Sequence, residues 1–338
     1  MIKYLGSKRK LISEILSAVH TAMPGARSVI DLFSGTSRVG YALKKKNYEV
    51  HANDHNLYAY MLAKCYVETN LETVEKEALS LIEEFNGLKG CPGYFTNNFC
   101  VRSHFFHPKN GERIDVIREA ITQKNLEPSL ESVLLVSLME AADRVDSTCG
   151  IQMAYLKKWA LRAENDLCLR MPLLLPKAGT SPCFAYQLDA LEAAKTLKAD
   201  VTYLDPPYNQ HSYRGNYHIW ETLMLWDKPE LYGVAAKRVD CRTHKSLFNS
   251  KRQFINAFSS VISSIKSKVL IVSFNNEGFV NRAEMESLLS QKGQVSTQVI
   301  NYKRYVGAQI GIHNPKGQAV GQMSHLYNKE YLYTVDGR

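Results

Sequence analysis

The chain has 338 residues, with 42 Lys and Arg against 33 Asp and Glu, a formal net charge of +9 and a pI near 9.0. That balance favours a polyanionic partner; no apolar run approaches the roughly 20 residues of a membrane span, and no apolar signal core opens the sequence. The seven cysteines (65, 91, 100, 149, 168, 183 and 241) lack metal-ligand spacing, which argues against a zinc site or disulfide framework and fits reduced thiols in the cytoplasm.

Length predicts about two domains, or one domain with a sizeable insertion. At the N-terminus a Gly-Ser turn precedes an amphipathic helix, roughly Lys8 to Thr21. Lys8 then stands at a helix start, where an anionic group could be held; a solvated lysine is the plain alternative. Residues 28 to 33, SVIDLF, read as a buried strand, and SGTSRVG as a turn into a helix ending near Lys46. Small residues there let a ligand approach the backbone, although Ser37 stands where a second glycine would complete a dinucleotide fingerprint. The next strand, Tyr48 to Ala52, ends at Asn53 and Asp54, and Asp54 follows Gly35 by 19 residues. An acid at that distance can accept from ribose hydroxyls; a loop-capping aspartate is the alternative.

From Leu57 to about Cys183 the spacing is helical, clearest at 71–87 and 129–145. The stretch from Cys91 to Arg113 carries aromatics at 94, 95, 99, 105 and 106, read mainly as the core of an inserted lobe. The sheet resumes with CFAYQLD, where Asp189 could meet a cofactor amino group or N-cap the helix that follows.

Val201 to Leu204 then form a buried strand ending at Asp205, Pro206, Pro207 and Tyr208. Two prolines offer no backbone donor, so the strand stops with acceptors facing outward, at the sheet edge where ligands bind. One carboxylate oxygen and the Pro206 carbonyl can take the two hydrogens of an adenine amino group, and Tyr208 can stack on the base. A turn whose Asp caps a helix and whose Tyr is core remains the alternative. Residues 237–252 place six Lys or Arg in a loop against one Asp, a candidate phosphate-contacting surface. Strands follow at 269–275, about 295–304 and 327–335, with a glycine-rich, basic and mobile link between the last two.

KYLGSK, DLFSGTSRVG with Asp54, and LDPPY, in this order and with the insertion before the last, resemble the DNA adenine methylase family. ADRVDSTCGIQMAYLKKW and NYKRYVGAQIG look closest to its FokI-type members. The resemblance implies an α/β, Rossmann-like S-adenosylmethionine-dependent methyltransferase sheet, with 1–58 and 183–338 catalytic and 59–182 a mostly helical DNA-recognition insertion. It implies that Tyr4, Gly6 and Lys8 lie against the methionine end of S-adenosylmethionine and that Asp31, Phe33 and Gly35 lie beside the cofactor. Asp54 would take the ribose and Asp189 the adenine amino group, while Asp205 to Tyr208 grip a flipped target adenine, with no metal. The expected partners are double-stranded DNA and a cognate restriction endonuclease, for a cytoplasmic monomer. RNA methylation, a nicotinamide-dependent dehydrogenase and a non-catalytic cofactor- and DNA-binding protein stand as the rival readings.

Overall fold

The computed structural model describes residues 1–177, 179, 181–303, 312–313, 319–321 and 327–338. Its main sheet has seven strands: β1 (Ser28–Asp31), β2 (Glu49–Asn53), β3 (Phe184–Tyr186), β4 (Val201–Leu204), β5 (Val269–Asn275), β6 (Gln294–Lys303) and β7 (Tyr327–Asp336). Their spatial order is β3, β2, β1, β4, β5, β7, β6. All pairings from β3 to β5 are parallel, whereas β7 runs antiparallel to both β5 and β6. This mostly parallel arrangement is the α/β, Rossmann-like sheet expected from the sequence.

The longer helices are α1 (Ile12–Ala22), α2 (Arg38–Lys45), α3 (Leu57–Ala63), α4 (Leu71–Gly87), α5 (Pro108–Gln123), α6 (Pro128–Arg144), α7 (Ala190–Thr196), α8 (His218–Leu225), α9 (Lys251–Ser264) and α10 (Arg282–Ser290). Both α5 and α6 begin on proline, whose fixed φ suits the first helical turn and whose missing N–H would have had no partner there. A Lys8–Lys10 turn of 3-10 helix comes before α1, so the first helix starts later than the sequence spacing predicts.

Strand alternation distributes the sheet's apolar side chains over two faces. Val269 and Ile271 pack with Ile15, Val19 and Leu43 of α1 and α2. Leu270 and Val272 pack with Ala193, Phe258 and Leu289 of α7, α9 and α10 on the other side. Parallel strands buried on both faces read as continuous apolar runs, which is why VLIVSF was legible as a strand.

A third core fills the helical segment between β2 and β3. Phe95, Phe99, Phe105 and Phe106 are fully buried in it, as the core reading of those aromatics anticipated. The same core takes Tyr217, Ile219, Trp220 and Leu223 from in and around α8, so its packing extends beyond residues 59–182. Arg118 of α5 fastens that junction, donating to the Leu223 and Met224 carbonyls at 2.7 and 2.9 Å. These are orphan acceptors at the end of α8, and a cation suits a helix C-terminus. Of the glycine-rich link 304–322, only 312–313 and 319–321, a short antiparallel pair, fall among the described residues, so its expected mobility lies outside them.

Replacing Phe99 by Ala should lower unfolding stability by about 3–5 kcal/mol, because a fully buried ring leaves a cavity the lobe cannot close. Urea denaturation measures this; a loss under 1 kcal/mol would mean the ring is not core.

Candidate active site

Strands β1 and β4 are neighbours in the sheet, but the chain leaves them in opposite directions, which opens a crevice at their carboxyl ends. A cavity of about 590 Å³ occupies that position. Tyr4, Gly6, Lys8, Asp31, Phe33, Gly35, Asp54, Asp189, Asp205 and Pro207 all line it. Pro206 and Tyr208 are not among its lining residues. Pro206 is buried. The Tyr208 ring packs edge-on against Phe274, 5.6 Å between centres, and its carbonyl accepts from Phe279 N–H at 3.0 Å. The Lys8 ammonium lies 6.0 Å from the centre of the same ring.

The N-terminal turn and the turn after β1 show why small residues stand there. Gly6 has φ of +77°, and a Cβ on it would come within 2.9 Å of the Tyr213 hydroxyl. Gly35 has φ of +50°, and its N–H donates to Asp54 Oδ2 at 3.0 Å. Asp54 therefore orders the turn as well as facing the cavity, with Oδ1 accepting from the Asn56 amide at 3.0 Å. Ser37 adopts φ of +57°, so the conformation suited to glycine is kept although the residue is serine, and its buried hydroxyl has no hydrogen-bond partner. At the end of β3, Asp189 accepts from Leu191 N–H at 2.9 Å. The capping alternative is thus realised, by a residue that also lines the cavity.

Tyr4 forms one wall, its ring nearly parallel to those of Tyr213 and Tyr217 at 5.2 and 4.6 Å. Beside it Lys8 is buried, with Nζ 3.0 Å from Asp205 Oδ1 and 2.7 Å from Glu330 Oε1. Burial pushes the Asp205 carboxyl up to about 6; Lys8 works against that rise and Glu330 adds to it. Asp31, at the end of β1, is fully buried, and burial raises its carboxyl to about 7 even though Gly40 N–H donates to it at 3.0 Å.

Two parts of the site were missed from sequence. Glu330 on β7 lies in phase with Leu332, which faces the sheet interior, so a glutamate at an inward position was the available signal. The far wall comes from His244 and Lys245 of the basic loop and from Gln253, Asn256 and Ser260 of α9, and for these last three no motif gives a warning. Within the basic loop, Arg238 is committed to the fold: it is buried, makes two 2.7 Å hydrogen bonds to Asp227 and also contacts Asp240. Arg242, Lys245, Lys251 and Arg252 remain exposed. Among the described residues no cluster of three or more His, Cys, Asp or Glu could hold a metal ion, and no helix is long and apolar enough to cross a membrane.

The family model for D12 class N6 adenine-specific DNA methyltransferases matches residues 4–288. The type II methyltransferase M.FokI of Planomicrobium okeanokoites is 31% identical, over 90% of this chain and 50% of that protein. The type II methyltransferase M.NlaIII of Neisseria lactamica is 28% identical, over 98% of this chain and 100% of the relative. The modification methylase StsI of Streptococcus sanguinis is 29% identical, over 90% of this chain and 49% of the relative. The chain thus spans about half the length of the FokI and StsI proteins and all of the NlaIII one.

Ser37→Gly should stabilise the protein by about 1 kcal/mol, since a left-handed backbone costs a residue with Cβ and the orphan hydroxyl is removed. A lower melting temperature would contradict this. Asp31 binds its proton more tightly folded than unfolded, so between its unfolded value near 3.8 and about 7 the folded state holds the extra proton and stability falls as pH rises. Asp31→Asn should therefore stabilise by roughly 2 kcal/mol at pH 8, and by much less at pH 5. Urea midpoints at the two pH values check the sign.

Proposed function

The chain belongs to the D12 class N6 adenine-specific DNA methyltransferases, and on that premise we propose that it transfers a methyl group from S-adenosylmethionine to the amino group of an adenine turned out of duplex DNA. The observation that carries this reading is the Asp205 carboxyl at the end of β4, facing the same cavity as the Gly35 turn and Asp54.

The cavity has the donor set such a cofactor needs. Asp54 and Asp189 stand at successive strand ends for ribose and adenine, and Gly35 permits close approach to the backbone. Buried oxygens of Asp31, Ser34 and Asp205 have no hydrogen-bond partner within the protein. Tyr4, Gly6, Lys8 and Phe33 complete the wall. When bound, S-adenosylmethionine supplies an electrophilic methyl carbon on a positively charged sulfur, a charge that suits a wall so rich in carboxyls.

Asp205 does the positioning. An adenine amino nitrogen is a poor nucleophile because its lone pair is delocalised into the ring. A carboxylate oxygen accepting one N–H and the Pro206 carbonyl accepting the other favour tetrahedral nitrogen and free that lone pair. With its carboxyl at about 6, Asp205 is an acceptor at neutral pH. The excess proton leaves to water. Turning the base out costs a few kcal/mol, and stacking on Tyr208 returns roughly 1–3 kcal/mol. The base stacks on the Tyr208 face away from Phe274.

We assign duplex contact to the helical layer and to Arg242, Lys245, Lys251 and Arg252 of the exposed loop. The names of the relatives support a place beside a cognate endonuclease. Seven free thiols support a cytoplasmic protein, and we take it to act as a monomer.

Asp205→Ala should lower methyl incorporation into duplex DNA by at least about 10³-fold, with S-adenosylmethionine affinity within about threefold of native. Tritium transfer and calorimetry read the two effects. Near-native turnover would remove Asp205 from this role, and transfer to structured RNA in preference to DNA would redirect the substrate assignment.

A further inference from the structure

Lys8 presents one ammonium to two carboxyls, and it does not treat them alike. Towards Glu330 it makes a 2.7 Å hydrogen bond, and Glu330 Oε1 is held in turn by Ser273 Oγ on the neighbouring strand at 2.5 Å. Towards Asp205 Oδ1 it makes a 3.0 Å ion pair, a longer and less well-aligned contact than the one to Glu330. The ammonium is aimed at Glu330, and Asp205 receives its charge while keeping its acceptor capacity.

We propose that Glu330 is a positioning residue of the methyl-transfer site: from β7 it draws the hydrogen bonding of Lys8 to itself and so leaves the Asp205 carboxylate free to accept from a substrate amine. This rests on the function proposed above and deepens it. A lysine facing Asp205 alone would align its N–H on that carboxylate and compete with the incoming amine. A site without Lys8 would leave Asp205 buried with no cation. Glu330 resolves the conflict because it is itself buried, is fixed by Ser273, and does not line the cavity.

Lys8 from the N-terminal turn and Glu330 from β7 act on Asp205, and Asp31 from β1, Tyr203 from β4 and Tyr213 from the loop after it feel the Asp205 charge in turn. Lys8 is the cation among them. Replacing Glu330 by Gln removes a like charge, which makes Asp205 easier to ionise, and also releases the ammonium towards it.

The test measures initial rates of tritiated methyl transfer from S-adenosylmethionine to genomic DNA of a host lacking adenine methylation, between pH 5 and pH 9. For Glu330→Gln the expected result is a kcat about tenfold lower at neutral pH, with KM for S-adenosylmethionine within about threefold of native. The acid limb of kcat should move down by about 1 pH unit. Glu330→Asp, which retains the charge, should restore the native limb in part. A Glu330→Gln enzyme with the native kcat and the native acid limb overturns the proposal. Should that variant fail to fold by circular dichroism, Ser273→Ala is read in its place, with a smaller change in the same direction expected and a native profile again overturning it. Absence of methyl transfer by the native chain would count against the proposed function instead, so the two failures are distinguishable.

Discussion

A buried ammonium must be paired, and that requirement ties this active site together. Lys8 comes from the first turn, Asp205 from the end of β4, and Glu330 from β7, 322 residues further along the chain than Lys8. Removing Lys8 would leave two buried carboxyls without their cation, a more expensive condition than the native one. The N-terminal turn has little secondary structure of its own, and its position depends on being fastened here and through Lys3, whose ammonium lies 2.7 Å from Asp146. The cavity wall supplied by Tyr4 and Gly6 is therefore held from both sides by ion pairs.

Parallel strands ending at one edge explain how five acids of different origin come to share a small space. Asp31, Asp54, Asp189 and Asp205 each lie at or just beyond the carboxyl end of a parallel strand, and Glu330 enters from the antiparallel one. Their environments separate their tasks. Asp54 and Asp189 are engaged by backbone amides and act as fixed acceptors at the turns. Asp31 holds the start of α2 through Gly40, and its burial favours the protonated form. Asp205 is kept ionisable near neutral pH by a cation that does not monopolise it.

Legibility from sequence followed the range of the interactions concerned. Strands such as VLIVSF and helices such as 71–87 were readable because a period of 2 or 3.6, or an unbroken apolar run, is a local property. The motif residues were readable because most stand at or just beyond a strand end and the rest in a Gly-Ser turn before the first helix, and ten of the twelve candidate residues do line one cavity. Glu330 and the polar wall of α9 were not readable, since their role depends on which strand and helix come to lie beside β4. Tyr208 shows the same limit inside a motif: its position was legible, while its contact with Phe274 of β5 was not. Arg238 likewise read as a surface charge, but its buried pairing with Asp227 makes it part of the scaffold.

The placement of β7 between β5 and β6 bears on the order in which the protein is assembled. In the seven-stranded sheet β6 pairs with β7 alone, so it has nothing to pair with until β7 has left the ribosome. The carboxylate that orients Lys8 arrives on that same late strand. A nascent chain can close its parallel strands first, yet Lys8 meets its second carboxylate only after β7 has emerged, so the charge cluster is completed in a step separate from the folding of the parallel sheet.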